Sequence, residues 1–108
     1  MQLIPGERVL DVAAGTGSFS MPAARAGVDV LATDFAPGMI ERLRQRIQQE
    51  GLTNIRAEVM DGQALDVPDA CYDASASIVG VIFFPDIARG IAELKRVLRS
   101  GGRFAIVC

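Results

Sequence analysis

The hydrophobic positions of this chain fall in short runs separated by small and polar breaks, and the runs change period along the sequence. Val9, Leu10 and Val12 are nearly continuous around Asp11, as expected of a parallel strand buried on both faces rather than a half-exposed one. That strand opens into Ala13-Ala14-Gly15-Thr16-Gly17. Residues 18–26 then read as a short helix ended by Gly27, and residues 28–33 as a second strand stopping at Asp34. Pro37 suits a first helical turn, and Met39, Ile40, Leu43 and Ile47 recur at helical spacing. Gly51 fits the end of that helix, with Arg42, Arg44, Arg46 and Gln48 on a solvated face. Residues 54–60, of mixed polarity, suggest a strand at a sheet edge. Residues 61–71, with Pro68 among them, read as a loop, and residues 72–79 as a fourth strand. Ile87, Ile91, Leu94 and Leu98 predict a helix over residues 86–99, which Gly101-Gly102 would end. Residues 103–108 read as a fifth strand.

Strands alternating with helices over short connections imply an α/β domain with a parallel sheet. In such sheets a ligand binds outside the carboxyl ends of the strands. Those ends are residues 13–17, Asp34, Asp61 and residues 77–80, so two separate carboxylates converge on the glycine turn. The turn is nearly free of side chains, and its backbone amides are open to a ligand. Asp11, just before it, would repel a pyrophosphate and attract an ammonium group. The dinucleotide fingerprint G-x-G-x-x-G is also incomplete, because Ser20 stands where its third glycine belongs. A nucleoside carrying a cationic amino-acid end, such as S-adenosylmethionine, suits the turn better than NAD.

Composition narrows the picture further. The 108 residues fit one domain spanning 1–108, and half of them are hydrophobic. A formal charge of −2 gives no footprint for nucleic acid. No apolar run approaches the roughly 18 residues of a membrane span, and no signal sequence precedes Pro5. Cys71 and Cys108 lack metal or redox spacing, which points to reduced thiols, a cytoplasmic protein and no metal site. The sequence has no histidine, and so lacks the commonest general base.

At these same residues the chain resembles the class I S-adenosylmethionine-dependent methyltransferases, in the branch of the ubiquinone and menaquinone biosynthesis enzymes. Five ordered blocks carry the resemblance: residues 9–17 (VLDVAAGTG), 33–43 (TDFAPGMIERL), 60–68 (MDGQALDVP), 72–86 (YDASASIVGVIFFPD) and 93–103 (ELKRVLRSGGR). It implies a Rossmann-like core with a five-stranded parallel sheet in the order 3-2-1-4-5 and flanking helices, lacking strands 6 and 7 and the N-terminal covering helix. Backbone at Ala13, Ala14, Gly15 and Gly17 would hold the methionine part of the cofactor, with Asp11 near its ammonium. Asp34 would take the ribose hydroxyls, and Phe35 and Met39 would pack on adenine. Asp61 would accept from the adenine amino group, with Gly62 and Gln63 near the ring and Ser77 and Ile78 closing the site. Plainer roles compete: turn capping for Asp61, core packing for Phe35, Met39 and the Phe83-Phe84-Pro85 run, and structure for Asp73. The implied activity is methyl transfer to a small-molecule acceptor; the alternative is a non-catalytic cofactor-binding or interaction module that needs a partner chain. No residue stands out as catalytic. The fifth strand would be an unpaired edge beside an uncovered apolar face, so a homodimer is expected.

Overall fold

The computed structural model describes residues 3–78 and 85–107. Five strands, β1 (Arg8–Val12), β2 (Asp29–Asp34), β3 (Ile55–Val59), β4 (Tyr72–Ile78) and β5 (Leu98–Val107), form one sheet in the order β3-β2-β1-β4-β5. Every pairing is parallel. Among the described residues three helices, α1 (Ser20–Arg25), α2 (Pro37–Glu50) and α3 (Ile87–Arg96), connect or follow the strands. This is the expected parallel α/β sheet with flanking helices, in the expected order.

β1 lies at the centre, and both of its faces are filled. On one side Val9 joins Val30, Ala32, Ile55, Ala57 and Ala74 beneath Met21 of α1 and Ile40 and Leu43 of α2. On the other, Leu10, Val12 and Leu31 meet Leu65, Tyr72, Leu94 and Val97. Full burial of each such aliphatic side chain favours folding by roughly 1.5–3 kcal/mol. The near-continuous apolar reading of β1 therefore reflects two cores. On the first face Ala74 and Ala76 of β4 are fully buried, while at the edge strand β5 Ala105 is half-buried and Val107 stays 48% exposed.

Several boundaries differ from the sequence expectation. α1 starts at Ser20, because residues 13–17 are spent in a turn with positive φ at Ala13, Gly15 and Gly17. α3 ends at Arg96, and Leu98, expected as its last apolar contact, already belongs to β5. β5 correspondingly starts five residues before the expected position. Its register against β4 jumps from Tyr72↔Leu98 to Ala74↔Arg103, so the extra residues form a bulge. Gly102 makes that bulge possible: a Cβ there would lie 2.9 Å from the Arg99 carbonyl oxygen and 3.1 Å from that of Asp73. Val79, Gly80, Phe83, Phe84 and Cys108, all covered by sequence expectations, lie outside the described residues.

Polar ties fix the frame around the sheet. Asp73 accepts from the Arg8 amide at 2.8 Å and from the Arg99 guanidinium, joining β1, β4 and β5 as a structural residue. Arg103 donates to both Glu7 oxygens, at 2.6 and 3.0 Å, which holds the Glu7 carboxyl below its usual range. The segment 61–71 is a loop, as expected. Arg96 straps it to α3 by donating to the carbonyls of Leu65 and Val67.

Candidate cofactor site

The carboxyl ends of β1, β2 and β3 meet at one edge of the sheet. The turn after β1 is pinned there by two backbone donations: Ala14 N–H to the Thr33 carbonyl at 2.8 Å, and Gly17 N–H to the Ala14 carbonyl at 3.0 Å. Its two glycines do different jobs. A Cβ on Gly15 would meet nothing within 4 Å, so that position faces open space. A Cβ on Gly17 would sit 2.6 Å from Leu43 Cδ1 and 2.9 Å from Met21 Cγ, so Gly17 lets α1 and α2 close over the turn. Ala13 holds φ at 61°, a left-handed conformation that is strained for any side chain.

Asp34 organises the turn from β2. Its Oδ2 accepts from the Gly15 amide and its Oδ1 from the Ala36 amide, both at 2.9 Å. An ionised carboxylate has roughly four acceptor sites, so capacity remains for hydroxyl donors. Next to it Phe35 is 74% exposed and Met39 39% exposed, and neither serves as core. The Met60 amide donates to the Asp34 carbonyl at 3.0 Å, which draws the end of β3 alongside.

Asp11 lies beneath this turn, 1% exposed. Its Oδ2 accepts from the Ser20 hydroxyl at 2.5 Å, while Oδ1 has no partner. Burial pushes the carboxyl up to about 7; the Ser20 hydrogen bond opposes the rise and the Asp34 charge adds to it. A buried, half-satisfied carboxylate is costly unless something cationic or a donor completes it.

The remaining expected residues differ in burial and in hydrogen-bond partners. Asp61 is exposed, and its Oδ1 accepts from the Gln63 amide at 2.9 Å, the geometry of a turn cap. Gly62 is buried. Gln63 is tied to the start of α3, accepting from the Asp86 amide through Oε1 and from Arg89 Nε through its carbonyl. Ser77, one residue beyond the Asp11↔Ala76 pair, is fully buried with its hydroxyl unpartnered, and Ile78 is half-buried.

The sequence expectations leave out the roles of three residues, two at this edge and one on the flank of β3. By sequence Ser20 stands only where a dinucleotide turn has its third glycine, yet its hydroxyl donates to Asp11. Arg46, assigned to a solvated face, donates to the Thr16 carbonyl at 2.6 Å and clamps the turn from α2. Arg44 donates to the Ala57 carbonyl at 2.9 Å. The available signal was spacing: Arg44 lies two residues from Arg42 and Arg46, so the three cannot share one helical face.

Comparison with known proteins now decides the family. Residues 9–102 match the family model described as a methyltransferase domain. The chain belongs to that family. Aklanonic acid methyltransferase DauC of a Streptomyces species is 39% identical over 105 residues, covering 94% of this chain and 48% of DauC. Demethylmenaquinone methyltransferase of Deinococcus radiodurans is 39% identical over 102 residues, covering 93% of this chain and 42% of that enzyme. A crystal structure from Methanococcus maripaludis, described as a putative S-adenosyl-L-methionine-dependent methyltransferase, superposes with a TM-score of 0.90 at 28% identity, covering 95% of this chain and 48% of that one. The chain thus spans less than half the length of these methyltransferases. Among the described residues no helix is long and apolar enough to cross a membrane.

Proposed function

We propose that this chain is the S-adenosylmethionine-binding part of a methyltransferase that acts on a small-molecule acceptor. One observation carries the reading: a buried carboxylate with a free oxygen, an open glycine and an amide-anchored carboxylate converge on one sheet edge. These residues fit the cofactor's chemistry. Asp34 has acceptor capacity for the two ribose hydroxyls, each charge-assisted bond contributing roughly 1.5–3 kcal/mol. Phe35 and Met39 offer exposed apolar surface for adenine, with Asp61, Gly62 and Gln63 beside it and Ser77 and Ile78 at the far wall. Ala13, Ala14 and Gly15 line the methionine end, Gly17 lets the turn pack closely, and Asp11 complements the ammonium.

When bound, S-adenosylmethionine supplies an electrophilic methyl carbon on a sulfonium. The residues of this chain position it and supply electrostatics. The two named relatives are named for aklanonic acid and demethylmenaquinone, which supports a small acceptor for this chain as well. Asp34→Ala should weaken binding of S-adenosylhomocysteine at least about tenfold, a loss of about 1.4 kcal/mol, with an unchanged circular dichroism spectrum. Equal affinity in the variant would discard the ribose assignment.

The exposed apolar side chains of the edge strand β5 favour a second reading, in which the chain binds cofactor but needs a partner for turnover. Methyl transfer to a panel of small acceptors by the chain alone would argue against it. The simplest partner is a second copy: β5 is an edge strand with Phe104 exposed on one face of the sheet and Val107 on the other, so a second copy could pair along that edge as a homodimer. Sedimentation as a monomer at tens of micromolar would remove that possibility.

A further inference from the structure

We propose that Ser20 is a positioning residue of this site, its hydroxyl orienting the buried Asp11 carboxylate so that Oδ1 is left to accept from the ammonium end of the ligand. The inference rests on the cofactor reading above and adds the residue that tunes it. Ser20 is the first residue of α1 and is fully buried, and its hydroxyl donates to Asp11 Oδ2 at 2.5 Å. It does not cap the helix: α1 has no side-chain cap bond, and Phe19 occupies the cap position. The hydroxyl is therefore committed to Asp11.

Among the described residues, the groups facing Asp11 are few. From α1 comes Ser20, from β2 comes the charge of Asp34, and β4 offers Ala76 as its register partner. The Thr33 hydroxyl goes to the Asp11 carbonyl at 3.1 Å, not to its carboxylate. Ser20 thus favours the ionised carboxylate, against burial and against Asp34. A glycine here, as in a dinucleotide fold, would leave both carboxylate oxygens orphaned. Ser20 and Asp11 work as a pair: one supplies the donor that makes a buried charge tolerable, the other reads the ligand's charge.

The test is the affinity for S-adenosylhomocysteine measured by calorimetry from about pH 6 to about pH 9, in the unmodified chain, Ser20→Ala, Ser20→Thr and Asp11→Asn. Taking each variant relative to the unmodified chain at the same pH cancels titration of the ligand's own amine. The unmodified chain should bind more tightly as Asp11 ionises. Ser20→Ala should move that rise upward by about one pH unit, a roughly tenfold loss near neutrality that shrinks at high pH. Ser20→Thr keeps the hydroxyl and should stay within about threefold, and Asp11→Asn should bind weakly with no rise at all. An equal loss at every pH in Ser20→Ala, or a profile that superimposes on the parent, would overturn the inference while leaving the cofactor reading intact. Should Ser20→Ala not fold, a rise preserved in Asp11→Asn would overturn it instead. A folded parent chain with no affinity at any pH would overturn the cofactor reading and this inference together.

Discussion

Ala13 holds a left-handed backbone at the point where the chain leaves β1, a conformation that costs an L-residue about 1 kcal/mol. Ala13→Gly should therefore raise stability by about 0.5–1 kcal/mol, or several degrees in melting temperature, offset in part by the freer unfolded chain. A thermal melt of that variant checks it. Asp11 bears on stability through pH. Its folded-state pKa is raised from 3.8 to about 7, so the folded chain holds a proton that the unfolded chain has released. Stability should accordingly fall as pH rises from about 4 to about 7 and level off above, by at most on the order of 4 kcal/mol from this group. Asp11→Asn should flatten that slope, as seen in melting temperatures measured at about pH 5 and about pH 8. At this scale the sequence was informative where residue type alone constrains chemistry. Asp11, Gly15 and Asp34 could be placed at one edge from their positions at strand ends. The Asp11–Ser20 bond and the Arg46 clamp could not, because each depends on helix rotation and close packing that spacing does not specify.

The bulge in β5 shows how far periodicity reaches at the scale of elements. Leu94 and Leu98 keep helical spacing, yet the helix stops between them and Leu98 pairs with Tyr72. Hydrophobic spacing alone does not separate a last helical turn from the entry of a buried strand. The Gly101-Gly102 pair was legible as an interruption, but its role as a bulge within β5 was not. Gly102→Ala should cost about 1–3 kcal/mol, because the clash is with backbone oxygens that cannot step aside. Chemical denaturation of that variant gives the measurement. The start of α3 is better specified: Asp86 Oδ1 accepts from the Arg89 amide at 3.0 Å. Asp86→Ala should cost about 0.5–2 kcal/mol in the same assay. It should also loosen the segment holding Gln63, whose side chain accepts from the Asp86 amide.

At the scale of the whole molecule, β1 and β2 each supply a carboxylate to one edge, and the order β3-β2-β1-β4-β5 follows from alternating strands and helices joined by short connections. The fold class and strand order were therefore readable from the alternation together with the family resemblance. The central claim is that this edge binds a nucleoside with a cationic amino-acid end. Calorimetric titration of the chain with S-adenosylhomocysteine, with NAD as the comparison ligand, tests it most directly. Micromolar binding at one site per chain, with NAD giving no heat, is the predicted result. A folded chain that binds NAD and ignores S-adenosylhomocysteine would contradict the account.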